Sequence, residues 1–256
     1  MNDAEKLQAL LDGRKRVLVW YSGGAASAVA LKMALEKFGT VEPVYCNTRS
    51  EHPDNERFRR DVENWLGVRI LEISSDNYHD VDDVIKKRGI FRVPNVGAPC
   101  TTELKKVPRL KYQQPEDKHI FGYTYEEGVR IARLMSANWD LRIECPLFSA
   151  RLKKQDCLDI ISDAGIDIPI MYRLGFNNNN CLGCVKSEGP DYWLLVQQHF
   201  PEVFKKRIQQ EEELGFALCR WRGKPVFLKD LKPHMKSTKA QKKLSCDFVC
   251  GTEGKA

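Results

Sequence analysis

The sequence predicts an α/β protein: a doubly wound, mostly parallel sheet of five strands, with a helical, Cys-containing C-terminal extension. Three observations lead there. Short apolar runs alternate with helix-length segments, the pattern of βαβ units. The first apolar run ends in a Gly-containing turn that opens straight into a helix-forming stretch. The 256 residues are 42% hydrophobic and 30% charged, enough to bury a core and too apolar for a disordered chain.

The elements follow in order. Ala4–Leu11 is an amphipathic start, and Val17–Tyr21 reads as a buried strand running into Ser22-Gly23-Gly24. Ala25 to Phe38, rich in Ala, Leu, Met and Lys, reads as a helix that Gly39 ends. Val41–Asn47 is a second strand, followed by the loop Thr48–Asn55. Phe58, Val62, Trp65 and Leu66 fall at helical spacing, and Val68–Ser74 is a third strand. The stretch from Ile85 to Tyr112 is irregular. A strand over His119–Thr124, a helix from about Glu126 to Met135 and a last strand over Ile143–Phe148 come next. A further helix runs to Gly165, and Asn177–Asn180 with Cys181-Leu182-Gly183-Cys184 forms a loop. A long helix from Tyr192 to about Leu214 carries Trp193, Val196, Phe200 and Phe204 on a core face, and Pro201 kinks or divides it. The remainder is Lys-rich: Gly223–Leu244 holds seven Lys and one Asp, with no long helical pattern.

Composition excludes some classes. The longest apolar runs fall far short of the ~18–20 residues of a membrane span. The first residues place Lys and Arg after a short apolar stretch without a small-residue cleavage site, which is not a secretory signal. The expected location is the cytoplasm, with no membrane contact. In a reducing compartment the nine cysteines are not expected to pair. Cys46, Cys145, Cys157 and Cys219 lie on apolar segments and read as core. Cys181-x-x-Cys184 and Cys246-x-x-x-Cys250 have spacings that suit a metal, and Cys100 is a further candidate. Four thiolates fit zinc or an iron–sulfur cluster, and ordinary reduced thiols are the remaining alternative.

Ser22-Gly23-Gly24-Ala25-Ala26-Ser27, between a strand and a helix, is the strongest local signal. Glycines let the backbone approach an anion, and amides at a helix N-terminus point their positive ends at it. A small-residue packing turn is the plainer alternative. The loop lacks the Lys of a Walker A motif. His52, beside Glu51 near the expected carboxyl edge of the sheet, is a candidate acid–base or a loop cap.

SGGAAS resembles the Ser-Gly-Gly-x-x-Ser signature of PP-loop ATP pyrophosphatases, which share the adenine-nucleotide alpha-hydrolase fold with phosphoadenosine phosphosulfate (PAPS) reductases. The similarity continues through YCNTRSEHPDN, GAPCTTELKKVP, FGYTYEEGVRIARL, ECPLF and NCLGCVKSEGPDYW. It is strongest toward the PAPS-reductase-like proteins common in phages and prophages. The resemblance implies a nucleotide-binding part over residues 1–150 and a helical, Cys- and Lys-rich part over 151–256. Ser22, Gly23, Gly24, Ala25 and Ser27 would hold the nucleotide's phosphates, Asn47 and Thr48 would lie near the adenosine, and Arg133 would add charge. Ser27, Lys105, Arg130 and His52 would serve catalysis, Lys105 and Lys106 facing phosphate or sulfate. Cys100, Cys181, Cys184, Cys246 and Cys250 would hold a [4Fe-4S] cluster, or zinc.

The implied activity is adenylyl transfer with pyrophosphate release, using ATP with Mg²⁺ and coupled to sulfur chemistry through a sulfur donor. The net charge of +6 and the Lys-rich tail admit a tRNA or DNA substrate. The alternatives are reduction of PAPS or adenylyl sulfate with a thiol reductant, and a non-catalytic nucleotide-binding protein. Two features depart from the relatives. Ala26 stands where many PP-loop enzymes have Asp. The Glu-Cys-Gly-x-His motif of PAPS reductases is absent, its nearest analogue being Cys246-Asp247-Phe248-Val249-Cys250-Gly251-Thr252.

Overall fold

The computed structural model describes Asn2, residues 16–93 and residues 96–236. The amphipathic start, Cys246 and Cys250 lie outside these residues. The chain divides into two compact units, each assembled from three segments. The first comprises Met1–Cys46, Arg57–Ile73 and Arg109–Ile168; the second comprises Asn47–Glu56, Ser74–Pro108 and Pro169–Ala256.

The first unit holds the sheet. Its strands are β1 (Val17–Tyr21), β2 (Glu42–Cys46), β3 (Leu71–Ile73), β4 (Lys118–Phe121) and β5 (Arg142–Glu144), in the order β3-β2-β1-β4-β5. Every pairing is parallel. β1 is the central strand and reads VLVWY because both its faces are covered; its last four residues are buried. The order reverses at β1, between β2 and β4. Right-handed crossovers on either side of such a reversal open a crevice at the carboxyl ends of these strands. Helix α1 (Ala25–Phe38) packs against β1 and β4, and buries Ala28, Val29, Ala30 and Leu31. Small residues on that face allow the close approach.

Four strands are shorter than the sequence suggests, β2 by one residue at each end and the other three for a local reason. The Val68 and Ile70 amides are taken by the Glu63 carbonyl and carboxylate, so β3 starts only at Leu71. β4 stops at Phe121 because Thr124 caps the next turn: the Glu127 carboxylate accepts both the Thr124 amide (2.9 Å) and its hydroxyl (3.0 Å). β5 ends before Pro146, which opens a short helical turn.

The second unit is helical. Helix α2 (Asp54–Leu66) starts in its first segment, and α3 (Val81–Arg88) begins at an Asp80 cap and stops at Gly89, φ 65°. The irregular stretch contains real structure: a turn at Pro99–Thr101, five π-helical residues Thr102–Lys106, and the helix Val107–Tyr112. The expected long helix is two. α10 (Pro190–His199) and α11 (Pro201–Leu214) break at Phe200, because Pro201 has no amide to continue the ladder; α4–α9 are the helices Pro99–Thr101, Val107–Tyr112, Gly128–Ala137, Pro146–Ser149, Lys154–Asp163 and Ile170–Arg173. Trp193, Val196 and Phe204 sit in the core with Phe91, Leu104, Met171 and Phe176, as their helical spacing predicts. The Lys-rich tail contains an unforeseen antiparallel hairpin, β6 (Cys219–Trp221) and β7 (Lys224–Val226). Glu211 roots it by accepting the buried amides of Leu218 and Leu228 at 2.5 and 2.6 Å.

Candidate functional site: a phosphate loop and a cysteine loop

The first constellation lies in the sheet unit. The chain leaves β1 at Ser22, turns through Gly23 (φ 77°) and enters α1 at Ala25. Only a residue that tolerates the left-handed region suits position 23. Ser27, 2% exposed, ties the turn together. Its hydroxyl donates to the Gly24 carbonyl at 2.8 Å and accepts the Ser22 amide at 3.1 Å, with the Ser22 hydroxyl 3.2 Å away. No side chain caps the start of α1, and its first turn carries no acid. An anion is the natural complement to such an N-terminus.

Gly122, just past β4, closes the other side. The register sets Phe121 opposite Trp20, so Gly122 meets the loop. A Cβ there would stand 2.8 Å from Ser27 Cα and 2.9 Å from the Ala26 carbonyl. Sequence reading missed this glycine; the signal available was a Gly at a strand end beside a Gly-rich loop. Beyond it, the Arg130 guanidinium pairs with Glu127 and lies 4.9 Å over the Tyr123 ring. Burial raises the Tyr123 phenol above its usual range, so it stays protonated. Arg133 is exposed on the outside of its helix.

Two buried basic residues in this unit also escaped the sequence. Arg109, 2% exposed, donates to Asn138 at 3.0 Å, and burial lowers its pKa. His119, fully buried on β4, accepts the Trp20 indole N–H on Nδ1 at 3.0 Å. Burial, then the neighbouring Arg109, depresses its pKa to about 4, so the imidazole is neutral at pH 7.

The second constellation lies in the helical unit. Thr48, 1% exposed, sets its hydroxyl 3.2 Å from Cys181 Sγ. Asn47 accepts the Arg49 amide at 2.7 Å, which lets Arg49 take φ 51°. Glu51 and Lys105 form a largely buried ion pair at 3.7 Å. Glu51 also accepts from Asn55 at 2.8 Å, and Asn55 accepts from Asn179 at 2.7 Å. Lys105 lies within the π-helical turn, a distortion that recurs at functional sites. His52 does what a loop cap does: its Nδ1 accepts the Asp54 amide at 3.0 Å and its ring packs against Phe200. Glu51, Asn55 and Asn179 were not singled out from the sequence, although Glu51 adjoins His52.

The Cys181–Cys184 turn is held from outside. The Tyr192 hydroxyl accepts the Cys184 amide at 2.6 Å and donates to the Cys181 carbonyl at 3.3 Å. Buried Arg207 donates to the Gly183 carbonyl at 2.9 Å and pairs with Asp82. Burial opposes the Asp82 charge, but Arg207 and Lys206 leave its pKa lowered. Gly183 has φ 60°, and a Cβ there would meet Val203 at 2.6 Å. Cys181 and Cys184 are each 6% exposed and Cys100 is partly buried. Among the described residues, no group of three or more His, Cys, Asp or Glu is placed to hold a metal ion. The other cysteines sit in the core as expected, and burial pushes the thiols of Cys145, Cys157 and Cys219 up to about 12.

The family model of the phosphoadenosine phosphosulfate reductase domain matches residues 16–190, most of the chain, the Ser22–Ser27 and Cys181–Cys184 loops included. The chain belongs to the phosphoadenosine phosphosulfate reductase family. Among solved structures, a phosphoadenylyl-sulfate (PAPS) reductase from Candida auris, in its phosphate complex, is similar at 12% identity and a TM-score of 0.48. The match covers 69% of this chain and 86% of that one. No curated protein matches the chain. Among the described residues no helix is long and apolar enough to cross a membrane.

Proposed function

We propose that this member of the family cleaves a sulfonucleotide, PAPS or adenylyl sulfate, with thiols as the reductant. The carrying observation is the uncapped, acid-free start of α1, closed by Ser27 and Gly122. Its amides and Ser22 would hold a nucleotide phosphate electrostatically as charge builds on the leaving oxygen. Arg130, in the same unit, is the cation assigned to that charge. Lys105, positioned by Glu51, keeps the role of a cation for phosphate or sulfate. Ser27 shapes the loop, and His52 caps α2.

In the reaction a cysteine thiolate attacks the sulfonate sulfur, and the S–O bond to the nucleotide breaks. A second thiol then displaces sulfite from the S-sulfocysteine and forms a disulfide, which an external dithiol reduces. Cys246 and Cys250 are the assigned nucleophiles, in place of the absent Glu-Cys-Gly-x-His motif. Cys181 and Cys184 are donors of the right type for zinc or an iron–sulfur cluster but supply two ligands of the four required.

A second reading has support in the Ser-Gly-Gly-x-x-Ser loop, which resembles that of ATP pyrophosphatases: adenylyl transfer from ATP with Mg²⁺. One experiment separates the two. The anaerobically purified chain is incubated with PAPS or adenylyl sulfate plus dithiol, and separately with ATP and Mg²⁺. Sulfite and a free adenine nucleotide support reduction, and loss of turnover in C246S or C250S places the nucleophile. AMP with pyrophosphate supports adenylyl transfer instead. Tight nucleotide binding without either product overturns both.

A further inference from the structure

The β6–β7 hairpin is joined by Arg222-Gly223, with φ 49° and 80°. Positive φ at both positions is the type I′ turn, whose first position favours Asn or Asp. An arginine there is held in a sparsely populated region, a departure from the local rule that points to use. Its guanidinium lies 4.5 Å over the Trp221 ring. The Trp221 ring meets His234 edge-on at 5.9 Å, which draws the Lys232–Lys236 segment to the same surface. From Arg220 to Lys236 the chain carries six Lys and Arg against one acid, Asp230. Of these six, Lys229 is committed to Glu212. Arg220, Arg222, Lys224, Lys232 and Lys236 are exposed. The hairpin is anchored beneath: Cys219, Leu228 and Leu231 are buried, and the Arg220 amide donates to the Glu188 carbonyl at 2.8 Å.

We infer that this hairpin binds the phosphodiester backbone of nucleic acid. Arginine's planar fork matches phosphate oxygens in a bidentate way and also stacks on aromatic rings, which a lysine-only solvated face does not do. An acidic protein partner could use the same charge, but a stacked Trp–Arg pair at the tip of a two-stranded ribbon suits a phosphate-lined groove or strand. This surface is independent of the nucleotide chemistry proposed above.

The test is fluorescence anisotropy of the full chain with labelled dT20, rU20 and a 20-base-pair duplex between 50 and 300 mM salt, comparing the three forms of backbone. R222N suits the turn, so the hairpin is kept; R220Q/R222N/K224Q removes the charge. The triple variant is expected to bind at least tenfold more weakly. The slope of log K against log salt should become shallower by about 2–3, since each lost phosphate contact removes ~0.7–0.9. R222N alone should weaken binding severalfold with an unchanged melting temperature. Equal affinity of wild type and triple variant overturns the proposal, as does no binding at 50 mM salt. Equal capture of polyglutamate, with the same variant effect, would assign the surface to acidic proteins and also overturn it.

Discussion

The Ser22–Ser27 loop and the Cys181–Cys184 loop are both short turns with a glycine at positive φ, yet they are held in opposite ways. The first is closed almost wholly by its own residues: Ser27 reaches back to Ser22 and Gly24, three to five positions away. The second is closed by Tyr192, Arg207 and Thr48, which lie 8 to 133 positions away. A turn at the start of a helix needs little more than its own backbone and the helix behind it. A loop that presents thiols must have its carbonyls and amides satisfied by others, because burying them unpaired costs ~1–3 kcal/mol each.

Filling the contact that crosses to the Ser22–Ser27 loop should have the largest effect. Gly122→Ala places a Cβ under 3 Å from three backbone atoms of the loop, none of which is a flexible side-chain end. Nucleotide affinity should fall by at least thirtyfold, read by calorimetric titration; an affinity within threefold of wild type would show that the loop is not the nucleotide site.

Gly183→Ala combines positive-φ strain with a 2.6 Å clash against Val203. Overpacking costs ~1–3 kcal/mol and backbone strain adds ~1 kcal/mol, so urea unfolding should show a loss of roughly 2–4 kcal/mol. Nucleotide affinity should hold, since the damage is confined to the other loop.

The sheet unit should be acid-sensitive through His119. Its folded pKa, about 4, lies below the ordinary 6.5, so protons bind more tightly to the unfolded chain. Its stabilising contribution is therefore full above pH 6.5 and is lost as the pH falls from 6.5 to 4, on the order of 3 kcal/mol in all. Denaturant titrations at pH 7.5 and 4.5 should show a steeper fall for wild type than for His119→Gln. Parallel curves would remove His119 as the cause.

Tyr192→Phe and Ser27→Ala test each loop's clamp. The first leaves the Cys184 amide and Cys181 carbonyl without the Tyr192 hydroxyl and should cost ~1–3 kcal/mol by thermal unfolding. It should also raise the reactivity of these two thiols toward a maleimide. The second should cost about 1 kcal/mol and weaken nucleotide binding about tenfold. If Tyr192→Phe weakened nucleotide binding more than Ser27→Ala did, the division of labour between the loops would be wrong.

How much of this was legible follows the same divide. The strand–loop–helix around Ser22–Ser27, the parallel sheet and the core cysteines could be read because each depends on neighbours in sequence: period, apolar runs and glycines. Strand ends were misread where a side chain took the ladder's amide, as Glu63 does at Ile70 and Glu127 at Thr124. The hairpin escaped because three-residue strands leave no period, and its Arg-Gly turn replaces the usual Asn-Gly signal.

By itself, the sequence determined the α/β class, the strand–turn–helix around Ser22–Ser27 and the apolar faces of the helices, since local propensity and periodicity suffice for those. Only the tertiary structure decided which residues meet. It divided the chain into two units whose segments interleave. It paired Lys105 with Glu51 and Thr48 with Cys181, and it set Gly122 against a loop about a hundred positions away. Such contacts are settled by packing and by the need to satisfy every buried polar group, and neither leaves a mark on the neighbouring sequence.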